Sequence, residues 1–108
     1  MDVRDLKPQA AKASSLLKMM GSQRRLMILC YLIEGEKSAG ELERLVGLRQ
    51  SALSQHLAKL RAHGLVSTRR NGQSILYSLA EDNVRAVIEV LHRLYCDATV
   101  APVVRRGR

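Results

Sequence analysis

Hydrophobic spacing changes period at Gly64 and changes back before Val84, and that pattern limits the folds open to this chain. Up to Gly64 apolar residues recur every three or four positions. From Leu65 to Leu79 they alternate with polar ones, and from Val84 to Tyr95 the helical spacing returns. Ala13, Leu16, Leu17 and Met20 mark one helix, stopped by Gly21. Leu26, Leu29, Cys30 and Ile33 mark a second, opened by Ser22 as N-cap with Arg25 where a capping-box Glu would sit, and ended by Gly35. Ser38 with Glu41 forms a capping box for a short helix carrying Leu42, Leu45 and Val46. After Gly47-Leu48, a helix over 49–63 places Leu53, Leu57 and Leu60 inward and is capped by Gly64. Leu65–Arg69 and Ser74–Leu79 read as strands joined by Arg70-Asn71-Gly72-Gln73, in which Asn-Gly predicts a tight hairpin with both central residues at positive φ. Val84, Val87, Ile88, Leu91, Leu94 and Tyr95 stripe a final helix. The expected order is α-α-α-α-β-β-α.

With 108 residues there is room for one domain. Residues 1–12 are expected to form a flexible N-terminal segment, 13–97 the folded domain, and 98–108 a basic flexible tail. At 46% hydrophobic and 26% charged residues the chain is globular. Aromatics are 3%, all Tyr, so Leu, Ile, Val, Met and Ala must build the core. The apolar run Leu26–Ile33 is too short to span a bilayer, and the polar start MDVRDLKPQAAKASS does not read as a secretory signal. A cytoplasmic location without membrane association is expected, and there Cys30 and Cys96 are not read as a permanent disulfide.

The net charge of +8 is concentrated. Residues 49–79 hold Arg49, Lys59, Arg61, Arg69 and Arg70, with no Asp or Glu. A stretch purged of acids suits a polyphosphate surface. Two short helices with a Gly-containing turn, the second basic and followed by a basic hairpin, describe a winged helix-turn-helix. The candidate DNA contacts on the second helix are Arg49, Gln50, Ser51, Ser54, Gln55, His56, Lys59 and Arg61. Its short hydrogen-bonding side chains suit base edges, although His56 could also pack inward. On the wing the candidates are Arg69, Arg70, Asn71 and Gln73, against the flanking backbone or minor groove. His63 reads as a neighbour of the helix cap. An enzyme is not expected: there is no Gly-rich phosphate loop or nucleophile elbow, and Glu41 and Glu43, two apart, face different sides of a helix.

Three segments carry a family resemblance: Ser38-Ala-Gly-Glu-Leu, Gln50-Ser-Ala-Leu-Ser-Gln-His-Leu and Leu60-Arg-Ala-His-Gly-Leu-Val. They resemble the ArsR/SmtB bacterial repressors, across about residues 13–97. The resemblance implies a mainly α fold with a β-hairpin wing, and a homodimer paired through its first and last helices. It also implies an imperfect inverted-repeat operator in double-stranded DNA. The family's metal sites are not matched. Glu41-Leu-Glu-Arg-Leu lacks the cysteines of one, and Val84 and Tyr95 stand where the other, beside Asp82 and His92, would need further histidines. No metal and no cofactor are therefore expected; a site using His92 and Cys96 across a dimer is the residual metal-responsive alternative.

Cys30 in Leu-Met-Ile-Leu-Cys and Cys96 in Leu-His-Arg-Leu-Tyr-Cys resemble the BigR/SqrR/HlyU branch. That resemblance implies a repressor that senses reactive sulfur species or oxidants. Its Cys30–Cys96 dithiol switch would close as a disulfide or polysulfide bridge and release the operator. A direct disulfide needs Cα atoms within about 7 Å, and intervening sulfurs relax that limit. Cys30, set in an apolar stripe, also fits plain core filling. The alternative within the branch is an anti-silencing activator of virulence or toxin genes.

Overall fold

The computed structural model describes residues 1–96. In chain order it contains α1 (Val3–Leu6), a 3-10 turn (Lys7–Gln9), α2 (Ala10–Met20), α3 (Gln23–Ile33) and β1 (Lys37–Ser38). There follow α4 (Ala39–Val46), α5 (Gln50–Ala62), β2 (Val66–Asn71), β3 (Ser74–Leu79) and α6 (Asp82–Tyr95). The mainly helical order with a hairpin wing is the one expected. The tail expected over 98–108 lies outside the described residues.

Three features differ from the sequence reading. The segment 1–12 is helical rather than loose in form: Asp2 caps α1 by accepting from the Arg4 N–H, and α2 opens at Ala10 instead of Ala13. All twelve residues are nonetheless exposed. Second, the hairpin is part of a three-stranded antiparallel sheet of order β1-β3-β2. Its extra strand, β1, pairs Lys37 with Tyr77 and Ser38 with Leu76. Ser38 performs two jobs here. An N-cap residue has extended dihedrals (φ −79°, ψ 163° at Ser38), so the residue that caps α4 can also end a strand.

Third, the wing turn is Gly72-Gln73, not Asn71-Gly72, because Asn71 pairs with Ser74 and remains in the ladder. Within this turn only Gly72 has positive φ (66°), and among the described residues no non-glycine residue does. A Gly at the first central position is the arrangement of a II′ turn, whose twist also suits a hairpin.

α3 is the central helix, packed by α2, α4, α5, α6 and β3. That position explains why Ile28, Leu29 and Leu32 are its buried residues, while Leu26, Cys30 and Ile33 from the predicted stripe lie at the core's edge. Leu53, Leu57 and Leu60 of α5 close the core from one side, and Val84 and Ile88 of α6 from the other. Met19 and Met20 anchor α2. Arg25 fastens the α2–α3 corner: its Nε donates to the Met19 carbonyl at 2.7 Å, and Ser22 accepts from its backbone N–H. The capping box is complete, with Glu41 accepting from the Ser38 N–H at 2.8 Å and Ser38 Oγ from the Glu41 N–H at 3.2 Å.

Among the described residues, apolar surface is left over on α2 and α6. Leu17 on α2 and Val90, Leu94 and Tyr95 on α6 are exposed, Tyr95 at 71%. Among the described residues no helix is long and apolar enough to cross a membrane.

Candidate nucleic-acid interface and cysteine pair

Gly47 ends α4 in the left-handed conformation (φ 78°), donating its N–H to the Glu43 carbonyl and turning the chain into α5. With Leu53, Leu57 and Leu60 directed inward, the 100° step of a helix points Ser51 and Gln55 along the opposite crest. Arg49, Gln50, Ser51, Ser54, Gln55, Lys59 and Arg61 are all exposed. The outward surface of the helix thus carries these polar side chains with the small Ala58 and Ala62 between them, and no acidic residue.

The two flanks of α5 face different neighbours. Ser54 and Arg61 border a shallow hollow shared with Tyr77 of β3, on the side of the wing. Lys59 and His63 border a cleft shared with Lys18, Met19 and Arg25, on the side of α2 and α3. His56 also belongs to this second flank. It is half-buried, and its Nδ1 is enclosed without a hydrogen-bond partner. Burial holds its pKa below the ordinary histidine value of 6.5, and the charges of Arg25, Lys59 and Arg24 add to that. For His56, grouped with the outward contacts, the enclosed Nδ1 and the nearby arginines of α3 favour the inward alternative. His63 donates from Nδ1 to the Lys59 carbonyl at 3.0 Å, at the end of α5.

On the wing, Arg70, Asn71 and Gln73 are exposed around the turn. Arg69 is not at the tip. It sits within β2 opposite Leu76, and its guanidinium donates to both carboxylate oxygens of Glu36, at 2.7 and 2.8 Å. A cation already matched by a bidentate carboxylate offers less to a phosphate. Arg69, grouped with the wing candidates, is thus an ion-paired residue of β2 and not part of the exposed turn.

Cys30 lies half-buried on α3, and Cys96 exposed at the end of α6, where its N–H donates to the His92 carbonyl at 2.8 Å. Both are free thiols. Burial raises the Cys30 pKa above the ordinary thiol value, and the neighbouring charge of Cys96 raises it further. The two sulfurs, distant in sequence, are thus electrostatic neighbours within one protomer. Among the described residues no three His, Cys, Asp or Glu side chains converge as metal ligands.

The sequence reading gave no site role to Arg24, Arg25 or Glu36. The adjacent arginines were a visible signal outside the acid-free stretch. Glu36 carried no local signal, since its partner is 33 residues away.

The chain matches the family described as bacterial regulatory protein, arsR family, over residues 22–68. It is 52% identical over 98 residues to the transcriptional activator HlyU of Vibrio cholerae, covering 91% of each chain. The structure of reduced HlyU from that organism superimposes with a TM-score of 0.80 at 53% identity, covering 86% of this chain and 98% of that one. The crystal structure of the transcriptional repressor BigR from Xylella fastidiosa gives 0.85 at 41% identity, covering 89% and 98%. A homodimeric winged helix-turn-helix DNA-binding domain from Mycobacterium bovis gives 0.70 at 26% identity, covering 84% and 87%. With helix, turn, α5 and wing in this arrangement, and these relatives, the chain belongs to the arsR family of bacterial regulatory proteins and is a DNA-binding transcriptional regulator of the HlyU/BigR branch.

Proposed function

We propose that this regulator is a homodimer whose hold on DNA is set by a Cys30–Cys96 dithiol. The observation that carries the reading is the placement of the two free thiols on α3 and at the end of α6, helices that pack on each other, with Cys96 near enough to bear on Cys30 by charge. Cys30 is on the helix against which α5 packs, and Cys96 ends the helix that exposes Val90, Leu94 and Tyr95. Pairing two copies through that apolar surface and through Leu17 of α2 hides it from water, in keeping with the homodimeric relative. Ser51 and Gln55 then face base edges, while Arg49, Gln50, Ser54, Arg61, Arg70, Asn71 and Gln73 face phosphates or groove edges.

The exposed Cys96 attacks, as its thiolate, the sulfane sulfur of a low-molecular-weight persulfide RSSH, forming Cys96–S–SH and releasing RSH. Cys30 loses its proton to solvent and attacks the Cys96 Sγ, expelling HS⁻. The two protein thiols are oxidised to a disulfide, and the sulfane sulfur leaves reduced. A second persulfide reacting first gives Cys96–S–S–SH, and attack on its central sulfur closes a trisulfide with the same loss of HS⁻. The longer bridge spans a gap that a direct disulfide would strain. Either closure ties α3 to the end of α6 and re-aims the two α5 helices. A coupling of a few kcal/mol is enough for a switch.

The experiment is fluorescence anisotropy with duplex DNA from upstream of the coding sequence, in fixed salt with chelator. Reduced protein is compared with protein treated with glutathione persulfide. Dithiothreitol-reversible loss of binding, abolished in Cys30→Ser and in Cys96→Ser, is the expected result. Unchanged affinity overturns the dithiol reading.

A further inference from the structure

Among the described residues, cations are gathered at the α2–α3 corner. Arg24 and Arg25 open α3, Lys18 stands near the end of α2, and Lys59 faces them from α5. Lys18, Arg25 and Lys59 line one cleft of about 510 Å³ together with Ser14, Ser15 and His63. Arg24 joins them around His56, on which Arg24, Arg25 and Lys59 all bear by charge. Among the described residues none of these four cations is ion-paired; the pairs that form are Arg4–Asp2, Lys37–Glu34 and Arg69–Glu36. Arg25 is occupied otherwise, bonding the Met19 and Lys18 carbonyls at 2.7 and 3.4 Å and so fixing the corner. Four unneutralised cations on one side of a small protein cost self-repulsion unless an anion completes them.

The position of the cluster identifies the anion. An α-helix with side chains is about 10–12 Å across and the major groove of B-DNA about 12 Å wide, so a helix lying in the groove has a phosphate wall on each flank. The wing flank of α5 carries Arg61, with Arg70 beyond it. The opposite flank carries Lys59, with Lys18 lining the same cleft and Arg24, at the start of α3, close enough to bear on His56. We infer that Arg24, Lys59 and Lys18 form a second phosphate clamp, gripping the DNA backbone on the groove wall away from the wing, with Arg25 as its positioning residue. This rests on the reading that the Ser51–Gln55 crest of α5 enters the major groove. A contact of this kind holds any duplex of B form. It sets affinity and salt dependence, and leaves sequence preference to the crest.

The test uses the full-length reduced protein, with anisotropy titrations over a range of potassium chloride on the upstream duplex and on a scrambled duplex of equal length. Arg24→Ala and Lys59→Ala are each expected to weaken binding to both duplexes in the same proportion. Each should flatten the plot of log affinity against log salt by about 0.9 per lost phosphate contact in each protomer. Arg24→Lys keeps the slope, and circular dichroism confirms that the variants remain folded. Lys7→Ala, in the exposed amino-terminal turn, keeps it too. Unchanged slopes in Arg24→Ala and Lys59→Ala, or an equal drop in Lys7→Ala, overturn the clamp. Failure of the underlying reading has a different signature: Gln55→Ala leaves the preference for the upstream duplex intact. That result removes α5 from the groove and overturns the wall assignment with it.

Discussion

Arg69 of β2 grips Glu36, 33 residues earlier in the chain, through two hydrogen bonds of 2.7 and 2.8 Å. The pair joins the segment that leaves α3 to the middle of the wing. Both side chains reach solvent, so its value lies in geometry more than in stability. Arg69 holds Glu36 below the ordinary carboxyl value of 4.5, so the pair forms fully above that pH and is lost only as pH falls through the lower folded value.

Freeing Arg69 should therefore change DNA binding in a specific direction. Glu36→Gln removes a negative charge and releases a cation, so non-specific affinity rises and the salt slope steepens by up to about 0.9 per protomer. Arg69→Ala in the otherwise unaltered protein should move the slope far less than Arg70→Ala. Anisotropy at several salt concentrations reads both. Equal effects of the two alanine variants would show that Arg69 contacts phosphate despite Glu36.

The two cysteines should differ in reactivity. Cys96 is exposed, whereas Cys30 is half-buried with a raised pKa. Brief iodoacetamide labelling followed by peptide mass spectrometry should find Cys96 modified first at pH 7, with Cys30 gaining rate as pH rises. In Cys96→Ser, where the neighbouring charge is gone, Cys30 should titrate lower than in the parent. Equal labelling of both thiols at pH 7 would contradict this order.

His56 links pH to stability. Its folded pKa lies below the ordinary 6.5, so above that value both folded and unfolded chains hold it neutral and it has no effect. Below it the unfolded chain takes up a proton that the folded chain resists, and stability falls with pH. Urea midpoints measured between pH 7.5 and 5.5 should drop more steeply for the parent than for His56→Gln. Parallel curves would mean that the ring is protonated in place without cost.

Substitutions in the helix-turn-helix scaffold should rank by mechanism. Leu53→Ala empties a fully buried site and is expected to cost about 2–5 kcal/mol. Ser38→Ala removes the side-chain half of the capping box and should cost about 1 kcal/mol, while its backbone continues to serve β1. Urea denaturation measures both. A Ser38→Ala loss as large as that of Leu53→Ala would make β1 dependent on the hydroxyl.

Much of the architecture was legible in the sequence because it rests on short-range physics. A helix brings together residues three or four apart, a cap acts over three positions, and a strand alternates by two. Those ranges were enough to locate α5 with Leu53, Leu57 and Leu60 inward and the Ser38–Glu41 box. They also placed β3 at Ser74–Leu79 and the apolar stripe of α6. They were not enough for the wing turn, where one residue of register moved the positive φ onto Gly72 alone.

What tertiary structure alone decided are the relationships between elements. Glu36 finds Arg69 only because β1 pairs with β3 on the side away from β2, so that the Arg69 side chain reaches across β3 to the residue preceding β1. The α2–α3 corner, tied by Arg25, turns Arg24 and Lys59 toward the same histidine. Packing of α6 on α3 brings Cys96 within electrostatic reach of Cys30. Sequence determined which elements form and which faces they bury, since those depend on neighbours along the chain. The unneutralised cations, the silenced one and the thiol pair depend on how rigid elements stack, and no local pattern carries that information.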